Sequence, residues 1–144
     1  MAEKSYILQW LIKAHRDLEA AKKLAEDREN ILTDIVCYHC QQAAEKFLKA
    51  FLIEKGIDFY RTHDLDYLLE LCVKEDPIFE NLRDITDLTE YAVEVRYGER
   101  FIIPQLDETI ESMRKTERLK DFVLKALNIS EEELKKKAKN KLQE

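Results

Sequence analysis

Two glycines and two prolines are all that a chain of 144 residues contains, which removes most of the material for tight turns and hairpins. Cysteine is scarce and odd in number, three in all. A disulfide framework is therefore not expected, and reduced thiols in a cytoplasmic protein are. No stretch approaches the ~20 apolar residues of a membrane span. The opening MAEKSYILQWLIKAHRDLEAA is charged and amphipathic, without the cleavage pattern of a signal peptide. An excess of positive charge is missing too: the net charge is -6, which excludes a broad cationic face for duplex DNA. No histidine follows His63.

What is present is helix-forming sequence, rich in Lys, Glu, Leu and Ala. Apolar residues recur at helical spacing over 4–26, as Ile7, Trp10, Leu11, Ala14, Leu18, Ala21, Leu24 and Ala25. A second, apolar-rich helix is expected over 34–55, with Thr33 or Asp34 as N-cap and Gly56 as its stop. A short third helix starts at Thr62 or Asp64 and ends before Pro77. A fourth is expected over about 78–96, broken at Gly98, and a fifth from Pro104 to about Asn128. Ser130 and Glu133 then form a capping box for a terminal helix. Leu134, Ala138 and Leu142 are too sparse for a core helix, so this piece reads as a solvated or partner-facing extension. The expected fold is all-α: an antiparallel up-and-down bundle of four to five helices over 1–128, with a charged helical extension over 129–144.

The stretch VCYHCQQAAEKFLKA, residues 36–50, raises a choice between thiol chemistry and a polar stripe. On a helical projection Cys37 and Cys40 share the apolar arc with Val36, Ala43, Ala44, Phe47, Leu48 and Phe51, whereas His39 points away. No strand precedes the pair and no second pair exists, so buried thiols are expected rather than a redox or zinc site. Opposite them run Tyr38, Gln42, Glu45 and Lys49, flanked by His39 and Lys46, which read either as a solvated face or as a site. Asp17 lies within the apolar stripe of the first helix. Arg96 continues the stripe Ile78, Leu82, Ile85, Thr89, Ala92 of the fourth. Charges at core-facing positions need partners, and two readings stand: a structural ion pair of Asp17 with Arg96 or a lysine of the second helix, or a groove where a phosphate meets Arg96 and Lys49.

The segments HCQQAAEKFLKAFLIEKG, RTHDLDYLLEL and LTEYAVEVRYGE, with the opening WLIKAHRDLEAAKKL, resemble the HEPN family (higher eukaryotes and prokaryotes nucleotide-binding domain) over about residues 8–107. The resemblance implies a helical bundle, usually dimeric, that binds a nucleotide or pairs with a minimal nucleotidyltransferase in a toxin–antitoxin-like couple. By position it implies a nucleotide- or anion-binding set of Asp17, Gln42, Glu45, Lys46, Lys49, His63, Asp64, Arg96 and Tyr97. No metal is implied, and no cofactor beyond a possible nucleotide. Ribonuclease members carry Arg, four to six residues, then His in the late helices. Here Arg96 is followed by YGERFIIPQLDE, which leaves such chemistry without its proton-transfer group. The expected function is thus a binding protein rather than a catalyst. The alternatives are a divergent ribonuclease using Arg96 with His63 or Tyr97, or a structural dimeric adaptor. In the first of these readings His63 serves chemistry; otherwise it caps the turn into the third helix beside Asp64.

Overall fold

A computed structural model describes residues 3–93, 96, 97 and 100–142; the side chains of 96, 97, 141 and 142 lie outside the described part. The chain runs as α1 (Lys4–Leu24), α2 (Thr33–Glu54), α3 (Leu65–Glu75), a 3-10 helix (Pro77–Ala92), two-residue strands β1 (Arg96–Tyr97) and β2 (Arg100–Phe101), α4 (Leu106–Ala126) and α5 (Glu131–Leu142). The fold is an all-helical bundle with one small antiparallel hairpin. No helix among the described residues is long and apolar enough to cross a membrane.

α2 is the central element. Fourteen of its 22 residues are buried, because α1, α3, the 3-10 helix and α4 all pack around it. Its wide apolar arc is therefore largely covered within one chain, while Ile35 and Tyr38 in its first turns remain exposed. Phe51 of α2 meets Phe79 with ring centroids 4.5 Å apart, and Phe79 meets Phe122 of α4 at 4.7 Å. These contacts clamp the 3-10 helix between its neighbours.

Helix ends follow local chemistry. Gly56 (φ +68°) and Asn128 (φ +58°) take left-handed conformations after α2 and α4. Behind them Ile57 N–H donates to the Leu52 carbonyl, and Ile129 N–H to that of Leu124, each at 2.9 Å, as helix-ending turns require. Asp64 caps α3 by accepting from the Asp66 and Tyr67 amides. Thr33 and Asp34 instead both lie inside α2, whose cap is Leu32 with no side-chain bond.

Two expectations fail here. The fourth helix does not reach residue 96: it ends at Ala92, and Val93 is extended. Its buried residues are Phe79, Leu82, Ile85 and Leu88, a period of three, which suits the three residues per turn of a 3-10 helix. Ile78, expected to face inward, is exposed. Leu82 breaks the run (φ -110°, ψ 19°), consistent with the poor bonding of long 3-10 stretches. Arg96 consequently belongs to β1 and continues no helical stripe. The second failure is at the C-terminus, where Leu134 is fully buried and Ala138 nearly so. α5 packs along α1, with Lys120 of α4, itself buried, donating to Glu131 at 2.6 Å. Two inward positions, Leu134 and Ala138, suffice because α5 adds a single stripe to an existing surface.

The cysteines are where their periodicity places them. Cys37, Cys40 and Cys72 are free and fully buried. Burial pushes the Cys40 thiol up to about 12 and raises Cys37 and Cys72 as well. Cys37 also contacts the Thr109 and Ser112 hydroxyls. We expect a disulfide-exchange reagent to titrate none of the three rapidly in the native protein and all three after denaturation. Fast native labelling of one thiol per chain would contradict this burial.

Candidate functional site

The polar residues of α2 form two separate seams. Towards α1, Lys46 Nζ lies 2.5 Å from Asp17 Oδ2, and His39 Nδ1 lies 3.0 Å from Asp17 Oδ1. Asp17 thus takes a lysine of the second helix as its partner, together with a histidine three positions before Gln42. All three side chains are largely covered, with 16–28% of their surface exposed.

Towards the α2–α3 connection, Glu45 is the hub. Its Oε2 accepts from Lys49 Nζ at 2.9 Å, and its Oε1 from Gln41 Nε2 at 3.3 Å, with His63 Nδ1 at 2.7 Å. Lys49 Nζ also donates to the Thr62 carbonyl (3.1 Å) and Gln41 Nε2 to the His63 carbonyl (3.2 Å). Gln42 Nε2 donates to Gln41 Oε1 at 2.6 Å. The Trp10 and Phe59 rings flank Lys49 Nζ, each with its centroid at 5.8 Å, a cation–π arrangement. Burial pushes the Glu45 carboxyl up, but the bonds from Lys49, His63 and Gln41 and the Lys49 charge outweigh it, so its pKa is lowered.

The projected row Tyr38–Gln42–Glu45–Lys49 therefore does not act as a unit, nor as a solvated face. Glu45 and Lys49 are buried. The residues that bond to one another are Gln41, Glu45 and Lys49, every four residues, and Gln41 was the member missed. The signal for it was present, since i, i+4 pairs on a helix meet. His63 does not cap α3, a role that belongs to Asp64; it latches onto Glu45 with its ring edge in solvent. Side chains of Arg96 and Tyr97 lie outside the described residues, so their part in either seam is not defined. The phosphate groove expected between Arg96 and Lys49 gains one constraint: Lys49 is already bonded to a carboxylate and a carbonyl.

A third feature surrounds the mostly apolar segment RFIIP, residues 100–104. The first turns of α2, the end of the 3-10 helix, the hairpin and the start of α4 enclose an open cleft of about 580 Å³. Ile35, Tyr38, Val93, Phe101, Ile102 and Ile103 line it and are exposed. Leu32, Leu106 and Ile110 extend the apolar exposure along the same elements. Asp34, Glu90 and Glu108 stand on its walls, and the Tyr91 hydroxyl donates to Glu108 at 2.8 Å. Among the described residues no group of His, Cys, Asp and Glu has the arrangement of a metal site.

The family model for the HEPN domain matches residues 7–133, nearly the whole chain. The chain belongs to the HEPN domain family. A crystal structure of an archaeal HEPN homologue is similar in fold, with a TM-score of 0.61 and 22% identity over 81% of this chain and 93% of the other. No curated protein matches the chain significantly. Family membership extends past the segments that carried the resemblance, through α4 and into α5, in keeping with the packing of Leu134 into the same core.

Proposed function

We propose that this HEPN protein is a binding module without catalysis of its own, and that its hairpin face is covered in function by another polypeptide. The supporting observation is the collection of exposed apolar side chains around the 580 Å³ cleft. Apolar surface gathered in one place, with the core already closed elsewhere, marks a docking face. The partner implied by the family resemblance is a minimal nucleotidyltransferase. A two-fold homodimer through the same face is the form expected of the chain alone.

A nucleotide has less support from the geometry. Lys46 and Lys49 each hold a carboxylate at 2.5–2.9 Å, so a phosphate must displace Asp17 or Glu45 to reach them. Arg96 is the remaining cation of the expected set, and a thermal-shift screen of nucleotides against the chain and Arg96→Ala tests that reading. For the ribonuclease alternative, His63 is the available imidazole, and it is engaged by Glu45.

Light scattering at tens of micromolar should give the mass of a dimer. Phe101→Glu combined with Ile103→Glu, at two positions about half exposed, should return it to a monomer. The reading fails if the double variant associates as the parent does, both with itself and with a nucleotidyltransferase that co-purifies with the chain.

A further inference from the structure

Among the described residues that line the apolar cleft, the charged ones are all carboxylates. Asp34, Glu90 and Glu108 line it, and a second cleft sharing Glu90, Tyr91 and Glu108 adds Asp87, Asp107 and Glu111. Two of these six carboxylates are answered: Asp87 by Lys115 at 3.0 Å, and Glu111 by Arg114 at 2.5 Å. Among the described residues no lysine or arginine pairs with Asp34, Glu90, Asp107 or Glu108. Asp34, Asp107 and Glu108 occupy first turns of helices, where the helix dipole favours them. Glu108 also accepts from the Gln105 amide at 2.6 Å and the Tyr91 hydroxyl at 2.8 Å, but among the described residues none of the three has a cation as partner.

A second copy, the occupant expected when the chain is alone, leaves the carboxylates of such a face unanswered. An isologous contact places each carboxylate near its own copy or a like neighbour, and like charges across an interface oppose association. The apolar wall asks to be covered while its border asks for cations. We infer that the segment seated in this cleft is a basic amphipathic stretch of a partner protein, with apolar side chains for the wall and flanking lysines or arginines for the border carboxylates. Tyr38 and Tyr91 add ring faces on which such cations pack. The inference rests on the reading that the hairpin face docks a polypeptide, and it names the chemistry of that polypeptide.

The probe is a fluorescein-labelled amphipathic helix of leucine and lysine, with a leucine–glutamate twin, titrated against the full chain by anisotropy. The basic peptide should bind and the acidic twin should not. Asp34→Asn with Glu90→Gln should weaken binding about tenfold or more, as the loss of two rim charges predicts. Asp58→Asn with Glu132→Gln, equal in charge but on other exposed positions, should leave it unchanged. Raising salt to about 0.5 M should weaken peptide binding while strengthening self-association, because screening removes attraction in one and repulsion in the other. The inference is overturned if the twins bind alike, if the two carboxylate pairs act alike, or if Phe101→Glu with Ile103→Glu leaves the basic peptide bound. The docking reading would survive any of these, provided the Phe101→Glu, Ile103→Glu change still abolished association.

Discussion

Replacing Glu45 by alanine is expected to destabilise the fold by about 3–5 kcal/mol, the cost of stranding a buried cation. Lys49 is buried, with Glu45 as its one carboxylate partner among the described residues, and it also donates to the Thr62 carbonyl. Removing Glu45 also releases Gln41 and His63, and with them the 55–64 connection that these residues hold against α2. A midpoint shift in urea read by circular dichroism measures the loss. Glu45→Gln should cost less, since the amide still accepts from Lys49. An effect within about 0.5 kcal/mol of the parent for alanine, the range of ordinary surface changes, would refute the hub. The same group carries a pH signature. Its folded pKa lies below the unfolded value of about 4.3, so its contribution is complete above that pH. It is lost as pH falls through the lower, folded value. Urea midpoints compared between the parent and Glu45→Gln should converge in part below about pH 4 and stay apart at pH 7.

Leu134→Ala comes second, with an expected loss of about 2–5 kcal/mol, the range for deleting a buried leucine side chain. Leu134 is fully buried between α5 and the rest of the core, so truncation leaves a void that a helix anchored by Lys120 and Glu131 cannot easily close. A solvated terminal helix would instead lose about 0.5 kcal/mol or less. Thermal unfolding separates the two. Leu134→Ala should also deprotect α5 amides to hydrogen exchange before those of α2, because α5 is held by one stripe and α2 by four neighbours.

Much of the bundle was legible because burial and periodicity coincide in it. In α2 the cysteines, alanines and phenylalanines of one arc are all inside, and Gly56 and Asn128 stop helices as left-handed residues do. The 3-10 helix was read with the wrong period: Phe79, Leu82, Ile85 and Leu88 repeat every three residues, but the 3.6 pattern of Ile78, Leu82 and Ile85 runs through the same letters. A pattern compatible with two helix types is settled by what packs on it, here the Phe51–Phe79–Phe122 contacts. The polar set was found in composition and missed in grouping. Asp17 and Lys46 were each legible as charges needing partners, while Gln41 was overlooked and His63 was given a cap that Asp64 provides.

By itself the sequence determined the helical class, most of the helix ends, the burial of Cys37 and Cys40 and the presence of inward-facing charge. Each of these follows from residue identity and spacing along one chain. Only the tertiary structure decided who answers whom across elements: Asp17 to Lys46 and His39 between α1 and α2, Glu45 to His63, and Leu134 into the core. It alone brought the first turns of α2 against the later 90–108 stretch to form the acidic-bordered cleft. Partners separated by tens of residues carry no local pattern, since charge pairing and burial depend on distance in space, which a bundle sets through the packing of all its helices at once.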